Sequence, residues 1–207
     1  MRFEAGQWVN VMIPAGDTHI KRAYSVASAP SSTPEFELAI THVTGGAGSS
    51  GLHATEVGAT LQFTEPAGFF LRKGDHASLF VATGTGLTPL YSMVVDALAV
   101  GHTSPMIVLI GVRHEEDRLY EAELCALVAK HPHIQAHYTL SQPRSATALQ
   151  GYVQVHVPQM HAALSAQAGH TAHVYICGLE KMVKSVRAVC KEDLGLGREF
   201  VHSERYD

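Results

Sequence analysis

The sequence predicts two halves in series: a short antiparallel β-barrel over residues 1–72, then an α/β unit over residues 73–207 built on a doubly wound, five-stranded parallel sheet. Three observations carry this expectation. Before about residue 72, apolar side chains alternate with others in short runs separated by Gly, Pro and Ser clusters, which is strand periodicity with turns. After about residue 73 the apolar runs become continuous, as in strands buried on both faces. Between those runs lie stretches with apolar residues at helix spacing, and strands alternating with helices imply a parallel sheet.

In the first half, Val9, Val11 and Ile13 alternate with other residues and mark the first strand. Arg22 to Ser28 has the same pattern, Phe36, Leu38 and Ile40 form one face of a third strand, and Leu61 and Phe63 belong to a fourth. Turns are expected at Pro14-Ala15-Gly16-Asp17, at Ser28 to Pro34 and at the glycine cluster Gly45 to Gly51. In the second half, Ser78–Ala82, Met106–Ile110, Ile134–Leu140, His173–Cys177 and Phe200–Glu204 read as five strands. Leu87, Leu90, Tyr91, Val94 and Leu98 share one helical face, Asp117 to Lys130 is helical with Leu119, Leu124, Leu127 and Val128 inward, and Glu180 to Leu194 is a helix between the last two strands. The boundary near Leu71 to Asp75 is short, and neither an internal repeat nor a low-complexity linker is present.

Composition removes several function classes. The 207 residues are 46% hydrophobic, enough for a packed core, and carry a net charge of −4 with no Lys/Arg runs, so no nucleic-acid footprint is expected. No apolar stretch approaches the roughly 18 residues of a membrane span, and Met1-Arg2-Phe3-Glu4-Ala5-Gly6-Gln7 lacks the apolar region of a signal peptide. Cys125, Cys177 and Cys190 are odd in number and far apart, which argues against a disulfide framework and for a reducing, cytoplasmic setting. Without a Cys-x-x-Cys the chain has no ligand set for its own iron–sulfur cluster, and the fourteen scattered histidines suggest no metal site.

Gly84-Thr85-Gly86-Leu87-Thr88-Pro89 follows the first continuous apolar run and opens the first helix of the second half. Glycines allow close approach of a phosphate, the free N–H groups of a helix start favour an anion, and Pro89 fits the first turn, where its missing N–H costs nothing. Pro89 stands where the third glycine of a Gly-x-Gly-x-x-Gly motif would be, so the loop alone is a weak signal, its alternative being a tight strand–helix turn without ligand. Its place after strand one of a doubly wound sheet favours a nucleotide, because ligands bind at the carboxyl ends of such strands.

Taken with Arg22-Ala23-Tyr24-Ser25, the loop resembles the ferredoxin–NADP⁺ reductase superfamily, in its branch of short bacterial oxygenase and ferredoxin reductases. Gly6-Gln7-Trp8-Val9, Arg22-x-Tyr24-Ser25, Gly48-Ser49 with Leu52, Pro66-Ala67-Gly68-Phe69-Phe70, Gly84 to Pro89, Gly111-Val112-Arg113, Cys177-Gly178 with Met182, and Glu204-Arg205-Tyr206 occur in the family's order over almost the whole chain. The resemblance implies an N-terminal FAD-binding barrel and a C-terminal NAD(P)-binding unit, with FAD and NADH or NADPH as cofactors. Arg22 would pair with a flavin phosphate, beside the Ala23 backbone. Tyr24 would lie against the flavin ring, and Ser25 would hydrogen-bond near flavin N5. Gly48 and Ser49 would hold the pyrophosphate. Thr85 and Gly86 would contact the nicotinamide nucleotide, with Cys177 and Gly178 beside its reactive carbon. Tyr206 would cover the other flavin face, and Glu204 would relay a proton. Ser25, Cys177 and Glu204 are thus the expected catalytic residues. From the residues alone, Cys177 is equally a buried cysteine ending a strand.

The family's members have further strands before the Gly-Gln segment, so the barrel is expected to be N-terminally short, with an exposed strand edge and weakened flavin binding. Ser141-Gln142-Pro143-Arg144 stands where NADP-dependent relatives place an arginine after a serine. Gln142 cannot pair with a 2′-phosphate, Arg113 and Arg144 could, and NADH is slightly favoured. The implied activity is hydride transfer from NAD(P)H to FAD and electron delivery to a ferredoxin or oxygenase component. The alternatives are a non-catalytic electron-relay or regulatory subunit and a nucleotide-binding module without flavin.

Overall fold

The computed structural model describes residues 1–16, 18–30, 35–145 and 149–206. Asp17 and residues 31–34, parts of two expected turns, and the terminal Asp207 lie outside them. The first half holds β1 (Trp8–Ala15), β2 (Thr18–Ser25), α1 (Ala47–His53) and β3 (Gln62–Phe63), with the antiparallel order β2-β1-β3. Val9 and Ile13 are fully buried and Val11 nearly so, as the alternation requires, each stabilising the half by roughly 1.5–3 kcal/mol. β2 begins earlier than expected and ends at Ser25 because it pairs with β1 over its whole length, from Trp8 opposite Ser25 to Ala15 opposite Thr18.

Two expectations for this half are corrected. Phe36, Leu38 and Ile40 do not form a strand: only Leu38 bridges, to Val26, and the rest of the segment finds no ladder among the described residues. The Gly45–Gly51 cluster is not all turn, since α1 begins inside it. Ser49 fixes that start: its hydroxyl accepts from Val43 N–H at 3.0 Å and lies 3.1 Å from the Gly46 carbonyl.

The second half holds β4 (Ser78–Thr83), α2 (Leu87–Ala99), β5 (Met106–Val112), α3 (Glu121–Lys130), β6 (Ile134–Leu140), α4 (Val157–Ala168), β7 (His173–Leu179), α5 (Glu180–Glu192) and β8 (Val201–Tyr206). All five strands are parallel, in the order β6-β5-β4-β7-β8. Alternate strand residues feed two cores. Phe80, Val108, Ile110 and Tyr175 pack under α2 and α3 with Leu87, Leu90, Met93 and Leu124. Leu79, Val81, Leu109 and Ile176 pack under α4 and α5 with Val157, Leu164, Val183 and Val186. Helices on both faces make the sheet doubly wound, as expected. The helix expected from Asp117 starts only at Glu121, because Tyr120 is left-handed at φ 57° and interrupts it.

The halves are tied at several points. Gly6 has φ 102°, and a Cβ there would overlap the Phe70 carbonyl and the Met93 side chain, so only glycine lets the start of the first half cross α2. Ser92 of α2 donates to the Ser28 carbonyl at 2.6 Å. At the junction Arg72, whose side chain is 2% exposed, donates to the Ser78 hydroxyl at 2.9 Å, the His76 carbonyl at 2.7 Å and His102 Nδ1 at 2.8 Å. Asp75 accepts from the N–H groups of Thr103 and Ser104, each at 3.1 Å. Beside it His76, which reaches the Tyr175 hydroxyl at 2.9 Å, lies against His173 with the ring centroids 4.0 Å apart and the planes tilted by 35°, and burial pushes its imidazole down to about 3.

Candidate active site

A cleft of about 380 Å³ opens between the halves, at the carboxyl ends of the parallel strands. Its walls come from both: Arg22, Ala23, Tyr24 and Ser25 at the end of β2, Gly48 and Ser49 of α1, Thr85 and Thr88 of the glycine loop and helix start, and Tyr206 at the end of β8. Eight residues singled out in the sequence therefore converge: Arg22, Ala23, Tyr24, Ser25, Gly48, Ser49, Thr85 and Tyr206.

The cleft fits a phosphate-bearing flavin. Arg22 lies across Gly48, where a Cβ would come within 3.0 Å of Arg22 Cγ and 3.4 Å of Ile13 Cδ1. A guanidinium over a glycine floor leaves room for an anion beside a charged donor. Tyr24 stands at the wall, paired in register with Val9 and partly buried, and burial raises its phenol pKa while the Arg22 charge lowers it. The Ser49 hydroxyl is held by the Val43–Gly46 loop, so Ser49 reaches the cleft chiefly through its backbone.

At the inner end, side chains from β2, α2, β7 and β8 form one polar chain. The Tyr206 hydroxyl donates to Ser25 Oγ at 2.7 Å and lies 3.3 Å from Thr88 Oγ1, and Ser25 Oγ donates to Glu204 Oε1 at 3.4 Å. Glu204 sits opposite Cys177 in the β7–β8 register. Burial pushes the Glu204 carboxyl up to about 7, opposed by the Ser25 hydrogen bond. It therefore changes protonation near neutrality, as a proton carrier should. Burial, and then the Glu204 charge, raise the Cys177 thiol well above its usual range. Cys177 is thus a neutral, fully buried group, suited to close packing and not to thiolate chemistry.

Gly86 and Gly178 lie just beneath. A Cβ on Gly86 would meet the Cys177 carbonyl oxygen at 2.3 Å and Gly178 Cα at 2.7 Å, so the glycine loop rests on the end of β7, backbone to backbone. Thr83 Oγ1 is buried there without a hydrogen-bond partner in the described structure.

Arg113, Ser141 and Arg144 do not join this cleft. They lie at a second corner, past the ends of β5 and β6, where Gln142 N–H donates to the Arg113 carbonyl at 3.0 Å. Arg144 is paired with Glu116 at 2.6 Å, and Glu115 accepts from the Arg144 and Ser145 N–H groups and the Ser145 hydroxyl. Sequence reasoning missed Thr88, although it lies one helical turn beyond Thr85 and bonds its carbonyl at 2.9 Å. It also missed Ile40, Thr41 and Val43 as cleft wall; of these Ile40 was read as strand.

Comparison with known proteins agrees with this arrangement. Residues 1–71 match the profile of the oxidoreductase FAD-binding domain and residues 80–188 that of the oxidoreductase NAD-binding domain. The chain is 49% identical over 209 residues to ferredoxin–NADP reductase B of Sorangium cellulosum, covering 99% of this chain and 86% of that protein. It is 33% identical over 187 residues to the reductase component DmpP of phenol 2-monooxygenase from a Pseudomonas species, covering 88% of this chain but 52% of the relative, so it spans about half of that protein. The ferredoxin–NADP⁺ reductase of Plasmodium falciparum, solved with 2′P-AMP, superposes with a TM-score of 0.82 at 23% identity over 100% of this chain and 84% of that one, and so shares the fold. The matched profiles, the relative alike over nearly its whole length and the cleft between the halves place the chain in the ferredoxin–NADP⁺ reductase superfamily of FAD- and NAD(P)-binding oxidoreductases.

Proposed function

We propose that the protein takes hydride from NAD(P)H onto FAD and passes electrons to an iron–sulfur protein or an oxygenase component. Residues 1–72 act as the flavin-binding half and residues 73–207 as the nicotinamide-binding half. The observation that carries this reading is the shared cleft, in which Arg22, Tyr24 and Ser25 face Thr85, Thr88 and Tyr206. FAD, when bound, supplies the conversion of one two-electron transfer into two one-electron transfers. The chain's own residues bind and orient. Arg22 and the Gly48–Ser49 backbone hold phosphate, Tyr24 supports the ring, and Thr85 and Gly86 seat the nicotinamide nucleotide against Cys177 and Gly178. Tyr206 occupies the space the nicotinamide needs and moves aside for it, and Ser25 Oγ links the cleft to the Glu204 carboxylate, the proton store. A cytoplasmic setting suits the reading, since Cys125, Cys177 and Cys190 are all unpaired; no helix among the described residues is long and apolar enough to cross a membrane.

Visible absorption of the purified protein, loaded with FAD if needed, tests this directly. Flavin bands that bleach anaerobically with NADH or NADPH support it, whereas a colourless protein that refuses FAD overturns it. Bound flavin bleached by neither coenzyme would favour a relay subunit. That second reading draws on the small three-stranded sheet of the first half and its exposed Phe63 and Phe69.

Two results are expected within this reading. Glu204→Gln should retain FAD and lose the pH dependence of turnover centred near 7, with a rate at least about tenfold lower. The sign for stability follows from the same shift. The folded-state value lies above the ordinary 4.5, so the stability that Glu204 contributes is fully present below that pH and is lost as pH rises through about 7. Thermal melts across this range should fall for the wild type and stay flatter for Glu204→Gln. At the second corner, Glu116→Gln should free Arg144 and raise kcat/KM for NADPH relative to NADH by about three- to tenfold, since a released guanidinium can meet a 2′-phosphate. Steady-state rates with the two coenzymes check it.

A further inference from the structure

We propose that Thr88 is a positioning residue that holds Tyr206 in the cleft, and that it does so only while Glu204 carries its proton. The proposal rests on the reductase reading, in which Tyr206 gives up its place to the nicotinamide, and adds what governs that exchange. Thr88 is the second residue of α2 and is 2% exposed. Its hydroxyl stands between two oxygens, the Thr85 carbonyl at 2.9 Å and the Tyr206 hydroxyl at 3.3 Å. The turn before it is packed backbone to backbone on β7 through Gly86, whereas Tyr206 ends the edge strand β8. Thr88 is thus the fixed partner of the pair.

Each hydroxyl brings a single proton, and an ionised carboxylate only accepts. With Glu204 ionised, the Ser25 proton points to Glu204 and the Tyr206 proton to Ser25. Thr88 gives its own to the Thr85 carbonyl, so no proton lies between Thr88 and Tyr206. With Glu204 protonated, the carboxyl becomes a donor to Ser25. Among the described contacts Ser25 Oγ meets only Glu204 and Tyr206, so its proton turns to Tyr206 and the Tyr206 proton turns to Thr88. The chain then runs from Glu204 through Ser25, Tyr206 and Thr88 to the Thr85 carbonyl with a proton in every link. The Cys177 thiol also reaches the Tyr206 hydroxyl, but sulfur is the weaker acceptor. Glu204 is the member that titrates, burial having raised it to about 7. Burial holds the Cys177 thiol on β7 and the Tyr206 phenol above their ordinary ranges, so both keep their protons through neutrality, and it holds the His202 imidazole on β8 below its own. β2 contributes Tyr24, whose phenol burial also raises, and the charged Arg22; from α2 only Thr88 lines the cleft. A held Tyr206 lowers the apparent affinity for coenzyme by the fraction of protein in which it blocks the site. Coenzyme therefore binds more weakly below the Glu204 value than above it, and by reciprocity its binding loosens the Glu204 proton.

The test is calorimetric titration of NAD⁺ and of NADP⁺ into the FAD-loaded protein at about pH 6 and about pH 8, either side of Glu204. Thr88→Val and Thr88→Ala remove the hydroxyl. Relative to wild type, both should bind either coenzyme about fivefold tighter at the lower pH, the worth of one hydrogen bond, and equally at the higher. Thr88→Ser keeps the hydroxyl and should match wild type at both. Comparing variant with wild type at each pH cancels the effect of the coenzyme's own charge. Alanine is the residue a helix accepts best, so Thr88→Ala carries the test if Thr88→Val does not fold. Unchanged affinity at the lower pH in the variants without the hydroxyl overturns the proposal. So does an equal gain at both pH values, or a gain in Thr88→Ser, either of which would make the bulk of the side chain the cause. Wild-type protein that takes up FAD and binds neither coenzyme overturns the reductase reading itself, and this proposal with it.

Discussion

Tyr24→Ala is expected to give a folded protein that loses most of its flavin, whereas Cys177→Ala keeps its flavin and loses rate. Tyr24 is partly buried in the cleft wall, and its side chain packs only at the margin of the Val9–Val11–Ile13 core. Its removal costs mainly ring stacking, worth about 1–3 kcal/mol, or roughly a ten- to hundredfold weaker FAD affinity. Cys177 is fully buried at the end of β7 and held neutral by burial, so alanine removes one polarizable contact and leaves a small cavity. FAD retention should then be near wild type, with hydride transfer slowed by about tenfold because the nicotinamide is seated less well. Gel filtration with absorbance detection measures retention, and anaerobic stopped-flow measures transfer. The opposite pattern would reverse the roles assigned to the two residues.

Gly86→Ala should be more damaging than Gly84→Ala, although backbone angles alone suggest the reverse. Gly84 has φ 53°, the left-handed region, but a Cβ there meets nothing within 4 Å. The cost is conformational, about 1–2 kcal/mol. Gly86 has an ordinary helical φ of −59°, yet its Cβ would meet the carbonyl oxygen, carbonyl carbon and Cα of the Cys177–Gly178 backbone, all under 3.0 Å. Backbone within a paired strand cannot yield as a side-chain tip can, so a loss of about 3 kcal/mol or more is expected. For a chain of this size that is a fall of roughly 6–12 °C in Tm, against about 2–8 °C for Gly84→Ala. Gly86→Ala should also abolish bleaching by either coenzyme, because the loop can no longer rest on β7. Thermal melts and coenzyme titrations of the two variants decide it.

The middle of the parallel sheet was legible because β4, β5 and β7 are buried on both faces and so read as nearly unbroken apolar runs. The first half was less so. Phe36, Leu38 and Ile40 alternate as a strand should, but Leu38 alone finds a partner, and alternation cannot reveal whether a neighbouring edge is available. α4 was missed because its ala-rich sequence turns only Val157, His161 and Leu164 fully inward, a spacing too sparse to stand out. α1 hid inside a glycine cluster that reads as turn; packing on Ile13 and the Ser49 hydrogen bonds make the helix, not propensity. In the site, the loop and the Arg22–Ser25 segment carried their own local chemistry. Ser25, Glu204 and Tyr206 meet across most of the chain's length, and no local pattern joins them; only the likeness to a family did.

Arg72 and Asp75 carry a mechanical consequence. The segment that joins the halves is riveted to the base of the parallel sheet by a buried guanidinium with three hydrogen bonds and by a carboxylate across two backbone amides. Bending at this joint would have to break those five hydrogen bonds. At the edge of the sheet β8 is the last strand and Tyr206 its last residue, and under the proposed function an incoming coenzyme finds its room there. Under that reading the moving part is a latch one side chain long, and the fastened segment lies at the opposite end of the sheet from it.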